Sequence, residues 1–401
     1  RRLQREDAAS ILGSLPARAT VPTRPIEPRI SDADATRAKA TADALLAEAP
    51  EIVRGDEQRA VLGPRTLRRA IRFEPRKARG TIAVVVDPKA LERPLAKVFG
   101  DLEREPRDAT FDVLGGRVRV VPARKGRRID TARIASEIVA NPYATEIPVR
   151  LAAQEPELST RAATALRIKR LVSEFTTEFP CCEPRVSNIR LAARILDSTI
   201  LRPGERFSLN EALGRRTRKR GFVPAPTIYD GRLRDDVGGG ISQLATTLYN
   251  AAFFAGLELV MHTPHQFYIS RYPMGREATI SWGGPELVFR NDWKAGLLMR
   301  FTTTDTSITV RFYSAKLGRR VVTETGEPYD FRGPSTIREF NPNLPPGTER
   351  VVQEGSVGGF AVDYTREVYR GKTRIRNERY HVEYDAKDTI VEYGPEAPAP
   401  E

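Results

Sequence analysis

The chain is poor in the residues that most often announce chemistry. Of its 401 residues only 2 are cysteine and 3 are histidine, so any thiol or imidazole chemistry has very few places to reside. The cysteines are neighbours, Cys181 and Cys182. One residue apart they cannot staple distant segments, which excludes a disulfide framework as the source of stability. The pair reads either as two part-buried thiols or as a vicinal or intermolecular bridge, and so does not settle the redox compartment. Long apolar runs are missing too. The best candidate, Ala251 to Met261, falls well short of the roughly 20 apolar residues of a membrane span and contains Glu258. The chain opens on Arg1 rather than Met, which reads as a fragment whose signal or membrane anchor lay upstream. Zinc-finger spacing and the aromatic motifs of RNA binding are also absent, so nucleic acid is not an expected partner.

Positive charge, by contrast, is plentiful. Lys and Arg number 65 against 52 Asp and Glu, a formal net charge of +13. Hydrophobic residues at 40% and charged residues at 29% are ordinary for a folded protein and exclude wholesale disorder. The basic excess favours polyanionic neighbours: nucleic acid, anionic lipid, or the phosphate-rich polymers of a bacterial wall. The one dense run is Arg215 to Arg220, interrupted by Thr217.

A short internal similarity places the first boundaries. Ile147 to Arg150, followed by Glu155 to Leu158, precedes a helical run at Thr160 to Leu166; Val21 to Arg24, followed by Glu27 to Ile30, precedes another at Ala33 to Leu46. Similar helical phrases lie before each, Asp130 to Ser136 and Glu6 to Leu12, so two copies of one module end are implied, the first truncated. Residues 36–150 then read as mixed α and β. A helix runs from Asp34 towards Ala49, and Thr81 to Asp87 is a β-branched strand. Asp87 fits an N-cap before a helix containing Leu91, Leu95 and Val98. Phe111 to Leu114 and Val118 to Val121 form a hairpin about Gly115 and Gly116. From Arg161 a helix is expected to reach Phe179, and a second spans Asn188 to Leu196 with Ile189, Ala192, Ala193 and Leu196 on one face. Strands are expected at Thr279 to Trp282, Leu287 to Phe289, Leu297 to Phe301 and Ile308 to Phe312. The tail from about 318 alternates as antiparallel β, and the Pro/Ala/Glu end past Gly394 reads as disordered.

The centre of the sequence is Gly238, Gly239 and Gly240. Three glycines permit backbone geometry that side chains forbid. Directly after them Ile241, Leu244, Ala245, Leu248, Ala252 and Ala255 recur at helical spacing, and Gly256 ends the pattern near a C-cap. The opposite face holds Gln243, Thr246, Thr247 and Asn250. Ser242 in the first turn is either an N-cap or a nucleophile at the positive helix end. A nucleophile needs a base, and His262 and His265 lie just downstream. Those two bracket Thr263 and Pro264, so they cannot share a helical face as paired metal ligands do, although Glu258 or Glu277 could be drawn in. No metal or other cofactor is expected.

Residues 174–315 resemble the VanW domain. The phrases are Phe175 to Thr177, Arg185 with Val186, Asn188 with Ile189, Pro203 to Glu205, Phe207 to Asn210, Gly214, Arg216 with Thr217 and Gly221 with Phe222. They continue through Gly238 to Gln243, Thr246 to Asn250, Pro264 with His265, Gly275 with Arg276, and Ala278 with Thr279. Residues 36–166 resemble the peptidoglycan-binding domain that often precedes VanW. The tail resembles the small extracellular five-glycine module, with Gly347, Gly355, Gly358, Gly371 and Gly394. The resemblance implies an α+β, multi-domain chain: 1–35 the end of a truncated first repeat, 36–160 the peptidoglycan-binding domain, 161–317 a central α+β VanW domain, 318–395 a small all-β module and 396–401 a disordered tail.

It also implies a surface-exposed, wall-associated protein anchored by an N-terminal membrane segment, with peptidoglycan or an anionic wall polymer as partner and other envelope proteins as further ones. The VanW name derives from glycopeptide-resistance gene clusters, but no activity comes with it. Many VanW domains place a cysteine where this chain has Ser242, a layout similar to papain-like and cell-wall amidase folds. His265 would then be the base, with Gln243 or Asn250 as polar support. Serine is the poorer nucleophile unless strongly activated. The expectation is therefore a binding protein, with Gly238, Gly239, Gly240, Gln243, Thr246, Thr247, Tyr249, Asn250 and Arg276 facing the ligand. The alternatives are a wall-peptide hydrolase or transpeptidase using Ser242 and His265, and an envelope scaffold.

Overall fold

The computed structural model describes residues 2–3, 23–24, 30–76, 78, 80–181, 183–229, 232–315, 318–355 and 358–396. The truncated first repeat and the Pro/Ala/Glu tail thus lie almost wholly outside the described residues, as does Cys182; Cys181 is disulfide-bonded. The chain divides into two compact units, Arg1–Asp108 with Ala123–Ser159, and Ala109–Pro122 with Thr160–Glu401. The fold is α+β with an all-β C-terminal region.

In the first unit, helix α1 (Asp32–Ala47) starts at Ser31, whose hydroxyl accepts from the Asp34 N–H while the Asp34 carboxylate accepts from the Ser31 N–H. Helix α2 (Pro64–Ala70) and the hairpin Ile71–Arg76 with Thr81–Val86 follow. Asp87 caps helix α3 (Pro88–Phe99), as its position before an apolar periodic run requires, by accepting from the Lys89 N–H. Helix α4 (Thr131–Ala140) is capped by Asp130 in the same way. Leu45, Ile52, Leu67, Leu91, Leu95, Phe99, Ile134 and Ile138 form the core of this unit.

The second unit is built on a six-stranded sheet in the order Ile200–Leu201, Leu297–Thr303, Ser307–Ser314, Arg170–Glu178, Arg117–Val121, Thr110–Leu114, with every pairing antiparallel. The last two strands are the hairpin around Gly115 (φ 55°) and Gly116 (φ 74°), the positive angles a tight hairpin turn requires. Their partner is Arg170–Glu178, so this hairpin belongs to the second unit.

Helix α5 (Thr160–Ala165) is far shorter than the helix expected to reach Phe179. The remainder became the strand Arg170–Glu178, which turns Ser173 and Thr177 inwards on a period of two. Two of its inward side chains are hydroxyls, which hid the strand period from a hydrophobicity reading. Thr279 to Trp282 is likewise not a ladder strand: its backbone N–H groups donate to Thr263 O, the Ser242 hydroxyl and Pro285 O in turn.

Helices α6 (Pro184–Leu196) and α7 (Leu209–Leu213) lead to α8 (Ile241–Phe254), in which every residue but Ser242 and Phe254 is buried. A helix buried all round has to satisfy its last carbonyls inside protein. Gly256 (φ 67°) begins this with a Schellman closure, Leu257 N–H to Ala252 O at 3.2 Å and Gly256 N–H to Phe253 O at 3.0 Å.

The C-terminal β region completes it. Here Gly359–Arg370 pairs on one side with Thr373–Tyr384 and on the other with Arg319–Thr325 and Tyr329–Arg332. Arg366, fully buried on that long strand, donates to Phe253 O through Nε (3.1 Å) and to Leu257 O through Nη2 (2.9 Å), with Glu378 at 2.7 Å neutralising it. Arg319 and Arg376 donate to Gly256 O and share the Asp292 carboxylate. A second small sheet holds Thr336–Phe340 parallel, and Glu349–Gln353 antiparallel, to Thr389–Tyr393. The parallel pair departs from the all-antiparallel expectation and is possible because the long strands intervene as the crossover.

Replacing Arg366 by Ala should leave the buried Leu257 carbonyl without its guanidinium donor and remove the buried partner of Glu378, while Phe253 O keeps the Gly256 N–H, a loss of about 2–4 kcal/mol in unfolding free energy. Urea titration of the whole chain reads it. A loss below about 0.5 kcal/mol would show that the clamp adds nothing.

Candidate functional site

The glycine turn is required by its surroundings. Gly238 (φ 94°) and Gly240 (φ 92°) are left-handed, and a Cβ on Gly239 would lie 2.1 Å from Ala225 O. Asn188 holds the turn in place, its Nδ2 donating to Gly239 O (3.0 Å) and Val223 O (2.8 Å). The N-cap of α8 is Gly240 rather than Ser242, because the chain enters the helix from the left-handed region that glycine tolerates. Ser242 is one position further in. Its hydroxyl accepts from the Ile280 N–H at 3.4 Å and sits 3.3 Å from Thr279 Oγ1.

The polar face of α8 is buried and bonded internally. Gln243 donates through Nε2 to Thr177 Oγ1 (2.6 Å) and Glu178 O (3.2 Å), and its Oε1 accepts from Arg185 Nη2 and the Tyr272 hydroxyl, each at 3.2 Å. Thr247 donates to Gln243 O at 2.7 Å and meets Thr177 Oγ1 at 2.6 Å. Thr246 accepts from the Ala278 N–H at 3.1 Å, and Asn250 Nδ2 donates to Arg276 O at 2.8 Å. Asn250 Oδ1 and Arg276 Nε are buried without a protein partner. The Arg276 guanidinium lies over Phe253 and Phe254, and burial lowers its pKa.

The two histidines face different partners. His265 is buried, with Nδ1 2.6 Å from Glu277 Oε2 and its ring stacked on Tyr272. Glu277 is fully buried, and its Oε1 accepts from the Tyr384 hydroxyl at 2.5 Å; that hydroxyl in turn accepts from the Gly275 N–H. Burial, and next the carboxylate of Glu277, push the Tyr384 hydroxyl far above its ordinary pKa. His262 instead stacks on Tyr249 at 4.3 Å, edge-on to Tyr380, and burial lowers its pKa to about 4. Tyr249 itself bonds to the Tyr364 hydroxyl at 2.8 Å. Among the described residues no three His, Cys, Asp or Glu side chains gather as a metal site, and no hydrogen bond joins Ser242 to His265.

Behind Gln243 and Tyr272 the surface opens into a cleft of about 420 Å3, lined by Phe175 to Glu178 on one side and Ser270 to Pro273 on the other. Its exposed polar groups are Thr176, Glu178, Ser270 and Arg271. Sequence reasoning missed Thr177, Arg185 and Tyr272 as the partners of Gln243, although two of the three lie in the phrases that identified the domain. Tyr384 left no local signal, since it stands 107 positions from Glu277.

Two outcomes follow from these contacts. Gln243→Ala should lower stability by about 2–4 kcal/mol, because it leaves buried partners unpaired. An unchanged Tm with lost ligand binding would instead make Gln243 a direct contact. For His262, the folded pKa of about 4 lies below the ordinary 6.5. Protonation in the unfolded chain therefore removes stability as pH falls from 6.5 towards 4, by about 2–3 kcal/mol at pH 4.5 relative to pH 7. His262→Phe should remove that share of the acid loss in denaturant titrations. An identical loss in both proteins would assign it elsewhere.

Residues 184–313 match the family model "VanW like protein", residues 64–142 match "Putative peptidoglycan binding domain", and residues 319–396 match "G5 domain". Uncharacterized protein YoaR of Bacillus subtilis (strain 168) is 31% identical over 236 residues, covering 58% of this chain and 76% of the relative. Vancomycin B-type resistance protein VanW of Enterococcus faecalis (strain ATCC 700802 / V583) is 26% identical over 141 residues, 33% of this chain and 50% of the relative. Among solved structures, similarity is found to the crystal structure of HP0197-G5 (15% identity, TM-score 0.11, covering 19% of this chain and 97% of that one). The IgA1 protease G5 domain is similar at 25% identity and TM-score 0.12, covering 20% of this chain and 94% of that one. The chain belongs to the VanW family, with a peptidoglycan-binding-type domain before its VanW domain and a G5 domain after it.

Proposed function

We propose that this protein is an extracytoplasmic, wall-associated binding protein whose ligand is peptidoglycan or a polymer attached to it. The observation that supports this most is the match of residues 64–142 to a peptidoglycan-binding model within the same chain as VanW and G5 domains. The net charge of +13 favours an anionic surface. The relative's name, a vancomycin resistance protein, is consistent with work at the envelope. Within the VanW domain the ligand surface is the cleft between Phe175 to Glu178 and Ser270 to Pro273. Gln243 and Thr247 act as positioning residues that hold its walls through Thr177, Glu178 and Tyr272, while Thr246 and Asn250 fix α8 to the segment from Arg276 to Ala278.

The hydrolase reading draws on the His265–Glu277 pair, which has the form of an imidazole oriented by a carboxylate. It needs Ser242 as its nucleophile, whose hydroxyl is instead engaged by Thr279 and the Ile280 N–H. The binding reading therefore expects no soluble fragments from purified peptidoglycan, from the native chain or from Ser242→Ala.

Pelleting with insoluble peptidoglycan across a salt series tests the proposal directly. Retention should exceed that of an unrelated protein of equal charge at every salt concentration. Equal retention would sink it, and fragment release that depends on Ser242 would replace it with the enzyme.

A further inference from the structure

The first unit holds a feature that neither the fold nor the VanW region explains. Segments 104–107 and 124–127 run antiparallel, with Arg104 opposite Arg127 and Arg107 opposite Arg124. Both pairs exchange backbone hydrogen bonds at 2.8 Å in each direction. Like charges directly opposite one another in a paired segment repel and cost stability. Two such pairs in succession need a reason.

Nor is the charge neutralised nearby. Among the described residues no carboxylate lies within ion-pairing distance of Arg104, Arg107 or Arg124, whereas the adjacent Lys125 is paired to Glu155. Arg127 is tethered, its Nε donating to Leu102 O at 2.6 Å. The other three guanidinium groups are exposed and, with Glu105, line a cleft of about 340 Å3. Gly126 fixes how closely the segments approach: a Cβ there would stand 2.5 Å from Arg104 O and 2.6 Å from the nitrogen of Pro106. The arginines are thus held side by side by backbone geometry rather than by contacts of their own.

We infer that this cleft binds the phosphodiester groups of an anionic wall polymer. Three forked guanidiniums against one carboxylate match a phosphate backbone, which each can grip with two parallel N–H donors. Among the described residues no aromatic side chain lines the cleft to stack a base, and no apolar one to enter a bilayer, so nucleic acid and membrane fit it less well. The phosphate ligand also resolves the like-charge pairing, because repulsion without ligand becomes attraction with it. The inference rests on the wall-binding reading and names a polymer and a site for it.

The test uses the whole chain and soluble poly(glycerol phosphate) as probe. A second arm uses peptidoglycan stripped of phosphate polymers, and a third polyglutamate of similar length. Wild type should bind poly(glycerol phosphate) at least about tenfold more tightly than polyglutamate. The triple variant R104Q/R107Q/R124Q should lose about tenfold or more on the phosphate polymer and flatten the salt dependence of log K by about 2. Its pelleting with stripped peptidoglycan should stay unchanged, and its Tm should hold or rise as repulsion is relieved. R104K/R107K/R124K, which keeps charge without the fork, should fall between the two. Equal polymer binding by wild type and the glutamine variant overturns the inference, and so does equal affinity for polyglutamate or tighter binding to DNA or to anionic vesicles. Failure of wild type on stripped peptidoglycan, with poly(glycerol phosphate) still bound, would remove peptidoglycan itself from the wall-binding proposal and leave the phosphate cleft standing.

Discussion

The second unit depends on a buried helix end. Helix α8 is enclosed on all sides, so its last carbonyls cannot turn to water, and an unsatisfied buried carbonyl costs as much as a lost hydrogen bond. Arg366, Arg319 and Arg376 supply the donors from the C-terminal strands. Their charge also answers the negative end of the helix dipole. Asp292 and Glu378 balance that charge, which keeps a fully buried guanidinium tolerable. The G5 region is therefore part of how the VanW helix is completed. Tyr364 on Tyr249 extends the same tie along the helix, and Tyr384 on Glu277 carries it to the segment packed beside it.

That dependence alters what the polar face of α8 means. Gln243, Thr246, Thr247 and Asn250 recur at helical spacing, and a polar stripe on a helix ordinarily faces water. Spacing reports only that one face differs from the other. It does not report whether solvent or a hydrogen-bonding wall lies opposite. Here the wall opposite Gln243 and Thr247 is the strand Arg170–Glu178, which offers Ser173 to the Ala251 carbonyl and Thr177 to Gln243 and Thr247, and the wall opposite Thr246 and Asn250 is the segment from Arg276 to Ala278.

Much of the fold was legible for local reasons. Asp87 before its apolar run, the glycine pair at 115–116 and the stop at Gly256 each encode a cap or turn within a few residues. What stayed hidden is non-local or chemically disguised. The strand at 170–178 hid because its inward residues include hydroxyls. The His265–Glu277–Tyr384 tie joins segments more than a hundred residues apart, and Tyr384 sits in a strand whose alternation reveals nothing of its partner. At the candidate site the family phrases included Thr177 and Arg185, two of the partners of Gln243, while saying little about which side chains meet. Ser242 and His265 both proved to be engaged, each with a different partner.

The basic composition needs the same division. A net charge of +13 counts every arginine alike, yet arginines serve opposite purposes in the two units. Arg366 and Arg319 are withdrawn from solvent, with 0% and 2% of their side chains exposed, and are matched by carboxylates, so they contribute nothing to long-range attraction. Arg104, Arg107 and Arg124 are exposed, unmatched by carboxylates among the described residues, and forced together by Gly126. One property suits both settings. A planar guanidinium has several donors in fixed directions, so it can close off carbonyls inside a fold or present a fork to an anion outside it. On the proposed reading, binding capacity lies in the arginines that the fold leaves uncompensated, and their position is set by backbone pairing rather than by the total charge.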